Sequence, residues 1–108
     1  MKSLDLTFGA LADQTRRAML QRLLSGEATI SDLAEPHAMT LSGAFKHVRV
    51  LTNAGLVKRE KRGRTVWCRL NAQPLREILD WVSHYEAFWD SRLDALSAHL
   101  ARKSKGRG

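Results

Sequence analysis

Five backbone-breaking residues shape this chain before composition needs to be considered. Gly26, Pro36, Gly55, Gly63 and Pro74 cut its 108 residues into short segments, and each stands beside a matching start or stop signal. Leu4, Phe8 and Leu11 recur at helical spacing and predict a short first helix over residues 4–12. Asp13 is suited to N-cap a second helix, which carries Met19, Leu20, Leu23 and Leu24 as its apolar side and runs to Ser25 before Gly26 stops it. Thr29-Ile30-Ser31-Asp32 has the form of a capping box and opens a short helix that Pro36 ends. Thr40 caps the next helix, about Leu41 to Ala54, and Gly55 terminates it.

Two strands are expected after Gly55, Leu56–Lys61 and Thr65–Leu70, joined by Arg62-Gly63-Arg64. Gly63 gives the turn its permissive backbone, and Val66, Cys68 and Leu70 alternate onto one face. Pro74 fits the first position of a last helix reaching about Leu100, which at 1.5 Å per residue is roughly 40 Å long. The expected fold is mainly α with a small β-hairpin wing, the element order of a winged helix-turn-helix. One domain covers residues 1–101, and the basic tail 102–108 is expected to be disordered.

The net charge of +7 is informative by position. Between residues 41 and 70, Lys46, Arg49, Lys58, Arg59, Lys61, Arg62, Arg64 and Arg69 face a single acid, Glu60. The tail adds Arg102, Lys103, Lys105 and Arg107, whereas the remainder of the chain is net acidic. Cations gathered in one segment are the footprint of a polyanion-binding surface; a merely solvated face carries interspersed acids. The lone Cys68 excludes a disulfide framework and fits a reducing compartment. Neither a signal peptide nor an apolar run of about 20 residues is visible, so the expected location is cytoplasmic, with no membrane partner.

Within the helix opened by Thr40, Leu41, Ala44, Val48 and Leu51 form a stripe expected to face inward. The opposite face collects Ser42, Gly43, Lys46, Arg49, Val50 and Asn53, which suits a helix entering a DNA groove. Gly43 costs roughly 1 kcal/mol in a helix interior, offset either by close approach of a ligand or by helix packing. His47 lies between the faces and can bond a neighbouring helix or a phosphate, while Phe45 is expected in the core. Arg62 and Arg64 at the hairpin tip, with Lys61 behind them, suit phosphate contact or a narrow minor groove.

Leu75, Leu79, Val82, Trp89, Leu93, Leu96 and Leu100 make a long stripe, widened by Ile78, Trp81, Tyr85 and Phe88. A domain this small cannot cover it, so a second copy is the natural cover; a cofactor pocket is the weaker reading of the aromatics. Catalysis has little to stand on. No nucleophile elbow, phosphate-binding loop or His-Glu-x-x-His is present, and Ser42 and His47 lie about 140° apart on one helix.

Leu11-Ala12-Asp13-Gln14-Thr15-Arg16-Arg17, Ile30-Ser31-Asp32-Leu33-Ala34, Lys46-His47-Val48-Arg49-Val50-Leu51 and Ala54-Gly55-Leu56-Val57 together resemble the ArsR/SmtB-type repressors over about residues 4–100. The resemblance is to the branch without metal ligands. It implies a homodimer built on the first and last helices, through Leu4, Phe8, Leu11, Leu79, Val82, Tyr85, Trp89, Leu93 and Leu96. It also implies repression of a promoter, often the protein's own, at a palindromic double-stranded operator. The expected DNA-binding set is Thr40, Ser42, Gly43, Lys46, His47, Arg49, Asn53, Lys61, Arg62, Gly63 and Arg64. A winged-helix module for RNA or a protein partner is the alternative.

Three departures from the family pattern stand out: Ala44-Phe45 in place of Val-Ser, Gln14 in place of Pro, and a Pro36-His37-Ala38-Met39 turn without Gly. No metal or other cofactor is expected. The family's Cys-x-Cys positions read Thr29 and Ser31, and Asp80, His84 and His99 are too far apart along one helix to converge.

Overall fold

Side-chain caps define most helix starts. The computed structural model describes residues 2–88 and comprises two units, one ending at Ile78 and the other beginning at Leu79. Helix α1 (Lys2–Leu11) is followed by α2 (Gln14–Leu23), strand β1 (Ala28–Thr29) and helix α3 (Ile30–Ala34). A 3-10 turn at Glu35–His37 leads into α4 (Leu41–Asn53), strands β2 (Val57–Arg62) and β3 (Thr65–Leu70), helix α5 (Gln73–Ser83) and a 3-10 turn at Glu86–Phe88.

Asp13 N-caps α2 by accepting from the Arg16 main-chain N–H at 3.0 Å, a bond that also lowers the carboxyl pKa. Thr29 and Asp32 complete the reciprocal capping box of α3, at 3.0 and 3.1 Å. The α-helix ends at Ala34, however, and Pro36 lies inside the following 3-10 turn instead of marking the helix end. Arg16 and Arg17 close the other side of the α1–α2 junction. Arg16 donates to the carbonyls of Ala10 (2.7 Å) and Gly9 (3.0 Å), and Arg17 donates to that of Leu11 (2.7 Å). Two guanidinium groups thus bond the last carbonyls of α1, of which that of Gly9 also accepts from the Ala12 main-chain N–H at 3.3 Å.

The core joins Met19, Leu20 and Leu23 of α2, Ile30 and Leu33 of α3, and Ala44, Val48 and Leu51 of α4 to Leu56, Val57 and Cys68. Burial pushes the Cys68 thiol pKa up, which suits a small core residue and not a reactive thiol. Leu24 leaves the expected stripe: it stands at the C-cap of α2 and is 73% exposed.

The sheet has three antiparallel strands in the order β1-β3-β2. Two were expected; the third, β1, pairs Ala28 with Cys68 and Thr29 with Trp67. The expected last helix is also shorter than its periodicity implies. Ser83 and His84 side chains bond the carbonyls of Asp80 and Trp81, and the main-chain N–H groups of His84, Tyr85 and Phe88 turn to i−3 acceptors. Local side-chain bonds of this kind compete with the helical ladder, and the α-helix stops at Ser83. Expectations for Trp89, Leu93, Leu96, Leu100 and the tail 102–108 fall outside the described residues. No helix among those described is long and apolar enough to cross a membrane.

Candidate nucleic-acid interface

Helix α4 starts where Thr40 Oγ1 accepts from the Gly43 N–H at 3.1 Å. Ala44, Val48 and Leu51 are fully buried, which fixes the rotation of the helix. Ser42, Lys46, Arg49, Val50 and Asn53 are therefore exposed along the opposite side. Among the described residues neither Lys46 nor Arg49 has an ion-pair partner. Gly43 is half-buried, and a Cβ built there meets only Thr40 Oγ1, at an ordinary 3.4 Å. Helix packing therefore does not require the glycine.

Leu41 and Phe45 depart from the expected core positions, with exposures of 52% and 38%. They lie on the N-terminal half of α4, beside the wing. Together with Arg64, Thr65 and Val66 they line a groove of about 180 Å³. Leu41 is the first residue of the helix.

The turn before α4 depends on Ala38, whose φ of 50° and ψ of 37° lie in the left-handed region. A glycine would adopt this conformation without the Cβ clash. His47 is half-buried and turned toward the body: its Nδ1 lies 3.3 Å from Arg16 Nη1 and 3.9 Å from the Asp13 carboxylate. Of the two roles open to it from sequence, the bond to a neighbouring helix is the one observed.

The wing ladder pairs Val57 with Leu70, Arg59 with Cys68 and Arg62 with Thr65. That register leaves a two-residue loop, Gly63-Arg64, and Gly63 has a φ of +62°. Glycine with positive φ at the first loop position is the requirement of a type II′ hairpin turn. Lys58, Arg59, Lys61, Arg64 and Arg69 are exposed. Among the described residues Lys61 and Arg64 have no ion-pair partner.

Arg62 differs from the displayed guanidinium expected at the tip. Nη1 and Nη2 donate to the two carboxylate oxygens of Glu27 at 2.8 and 3.0 Å, and Nη2 also donates to Glu60 at 2.9 Å. The guanidinium carbon lies 5.4 Å from the Trp67 ring centroid. These bonds hold Glu27 and Glu60 below the usual carboxylate range and push the Arg62 pKa up. Sequence reading missed Glu27 and Trp67, because the two ends of the Glu27–Arg62 pair are 35 residues apart and no periodicity links them.

The expected dimer residues are divided in their surroundings. Leu4 is already buried within its own chain and Leu11 packs on the core. Leu79 and Tyr85, in the second unit, are 64% and 45% exposed. Among the described residues no group of three or more His, Cys, Asp or Glu side chains is arranged to hold a metal.

No family model matches the chain. Among curated proteins it is similar to the transcriptional repressor SdpR of Bacillus subtilis, with 27% identity over 78 residues, covering 72% of this chain and 87% of that protein. It is also similar to the HTH-type transcriptional regulator NmtR of Mycobacterium tuberculosis, 35% identical over 74 residues, covering 68% of this chain and 62% of that one. A solved ArsR family transcriptional regulator matches it at a TM-score of 0.77 and 38% identity, over 83% of this chain and 93% of the other. All three relatives are transcriptional regulators. At 38% identity over most of both chains, and with a helix-turn-helix arrangement followed by a hairpin wing, the chain belongs to the ArsR family of winged helix-turn-helix transcriptional regulators.

Proposed function

We propose that this protein is a homodimeric, sequence-specific double-stranded DNA-binding repressor of its own or a neighbouring operon. The carrying observation is the two-sided character of α4: three fully buried residues lock it to the core, and its outer side presents Ser42, Lys46, Arg49 and Asn53. A helix with that division enters the major groove, where Lys46 and Arg49 reach base edges and the Thr40–Gly43 end approaches the backbone. Lys61 and Arg64 on the wing contact phosphate beside it. His47 and Arg62, bonded to protein groups, organise this surface and do not contact DNA. The exposure of Leu79 supports dimerisation through the first and last helices, which sets two reading helices about one DNA turn apart. Repression is the activity named for SdpR. The releasing signal is proposed to be other than a metal ion, because Thr29 and Ser31 offer no thiolate.

Two measurements on the purified chain test this. Sedimentation at micromolar concentration should give twice 12.2 kDa. Selection from fragmented genomic DNA should return a palindromic site that competes far better than structured RNA of equal length. A monomer that binds the palindrome tightly would overturn the dimer, and preferential binding to the RNA would overturn the duplex-DNA reading.

A further inference from the structure

We infer that Glu27 is a positioning residue for DNA binding: by gripping Arg62 it holds the outer half of the β2–β3 hairpin where Arg64 can reach the nucleic-acid backbone. The inference deepens the DNA-binding reading and rests on it. The wing is joined to the sheet by a very short strand, because β1 pairs with β3 only at Cys68 and Trp67. Val66, Thr65 and the Gly63-Arg64 loop extend past the last of those rungs. A two-stranded ribbon is marginal on its own in water. Glu27 immediately precedes β1, and its partner Arg62 sits opposite Thr65, on the final rung before the turn. One side chain from the root of the sheet therefore reaches the tip of the hairpin.

The geometry is better defined than that of an ordinary surface pair. A single exposed ion pair contributes little, since long side chains lose entropy in forming it and water screens the charges. Arg62 instead makes a two-pronged bond to Glu27 at 2.8 and 3.0 Å, a third to Glu60 at 2.9 Å, and lies over the Trp67 ring. The planar fork and the aromatic face restrict it to one orientation. Trp67 is itself the β3 residue paired with Thr29 of β1, so the grip closes over the last rung shared with the sheet.

Charge alone argues in the opposite direction, which makes the inference decidable. Glu27 and Glu60 place two carboxylates beside a surface that meets a polyanion, and they neutralise one of its cations. If electrostatics were all that mattered, removing the Glu27 charge would tighten binding and add a phosphate contact. If Glu27 positions the wing, removing it weakens binding although the surface becomes more positive.

The test uses the full chain and the duplex selected above, with binding measured across a range of salt and thermal melting as the folding control. Glu27→Gln should weaken binding by about fivefold and lower the slope of log K against log salt by up to about one, as the Arg64 contact is lost. Arg62→Lys, which keeps the charge and loses the fork, should weaken it similarly. Arg64→Ala should lower the slope by about one in the wild-type background and by clearly less in the Glu27→Gln background, where the wing no longer presents it. Glu27→Gln binding that is unchanged, or tighter with a steeper slope, would overturn the positioning role and identify Arg62 as a masked phosphate contact. Fully additive effects of Glu27→Gln and Arg64→Ala would also overturn it. A wild-type chain that binds no duplex overturns the DNA-binding reading itself, whereas tight wild-type binding with any of these outcomes overturns the positioning role alone.

Discussion

Helix α4 and the wing both display cations, two on the helix and six on the wing, but they are held in place by different means. The helix is fixed from beneath by Ala44, Val48 and Leu51, all fully buried, so its outer side chains inherit their direction from the core. The wing has Val57 buried at its root, and every later residue of β2 is exposed; its tip is held from the side by Arg62, Glu27 and Glu60. Lys46 and Arg49 are thus displayed by packing, and Arg64 by an ion-pair brace. The sequence shows both as part of one basic segment. Locating their anchors separates a helix fixed by the core from a hairpin tip braced at the surface.

The largest effect expected from this contrast is on stability. Leu51→Ala removes a fully buried side chain beneath α4 and should cost about 2–5 kcal/mol in denaturant unfolding. Arg62→Ala, at the exposed brace, should cost far less, because water screens that pair. Equal losses from the two would remove the distinction between a core-anchored helix and a surface-braced wing.

A subtler effect concerns two backbone positions on either side of the Thr40 cap. Ala38 occupies a left-handed conformation that disfavours a Cβ, so Ala38→Gly should stabilise the fold by up to about 1 kcal/mol, or roughly 4–8 °C in melting temperature. Gly43 is the converse case, because a Cβ there meets no obstacle in the protein. Gly43→Ala should also stabilise, by roughly 0.5 kcal/mol, and yet weaken operator binding if the glycine makes room for DNA. A Gly43→Ala chain that melts higher and binds as well as wild type would show that nothing approaches the helix at that point.

Local signals foretold most of the fold. Asp13, Thr29 and Thr40 cap the helices as their side chains suggest, and the Ala44-Val48-Leu51 stripe is buried as its spacing implies. The signals that were misread depend on neighbours that sequence spacing does not reveal. Leu24 and Leu41 continue an apolar period past the point where another element covers it, so periodicity places them in the core and geometry leaves them exposed. Strand β1 is two residues long, and Thr29 within it also caps α3, so the capping signal hid the pairing. The end of α5 at Ser83 is set by side chains bonding back to carbonyls, which leaves no mark on hydrophobic spacing. Arg16 and Arg17 did carry a readable signal: cations just after a predicted helix end are placed to bond its last carbonyls.

The same limit applied to the candidate interface. The exposed side of α4 was legible, since a buried stripe defines its opposite. Arg62 and Arg64, either side of Gly63, look equivalent in sequence until Glu27 is placed beside one of them.

The division of labour between helix and wing is tested most directly by repeating the selection of bound DNA, and the salt titration, with Arg49→Ala and Arg64→Ala. Arg49→Ala should broaden the selected site and cost about 1–3 kcal/mol of discrimination at the positions it reads. Arg64→Ala should return the same site, with the slope of log K against log salt smaller by about one. A selected site that changes with Arg64→Ala and survives Arg49→Ala intact would contradict the account.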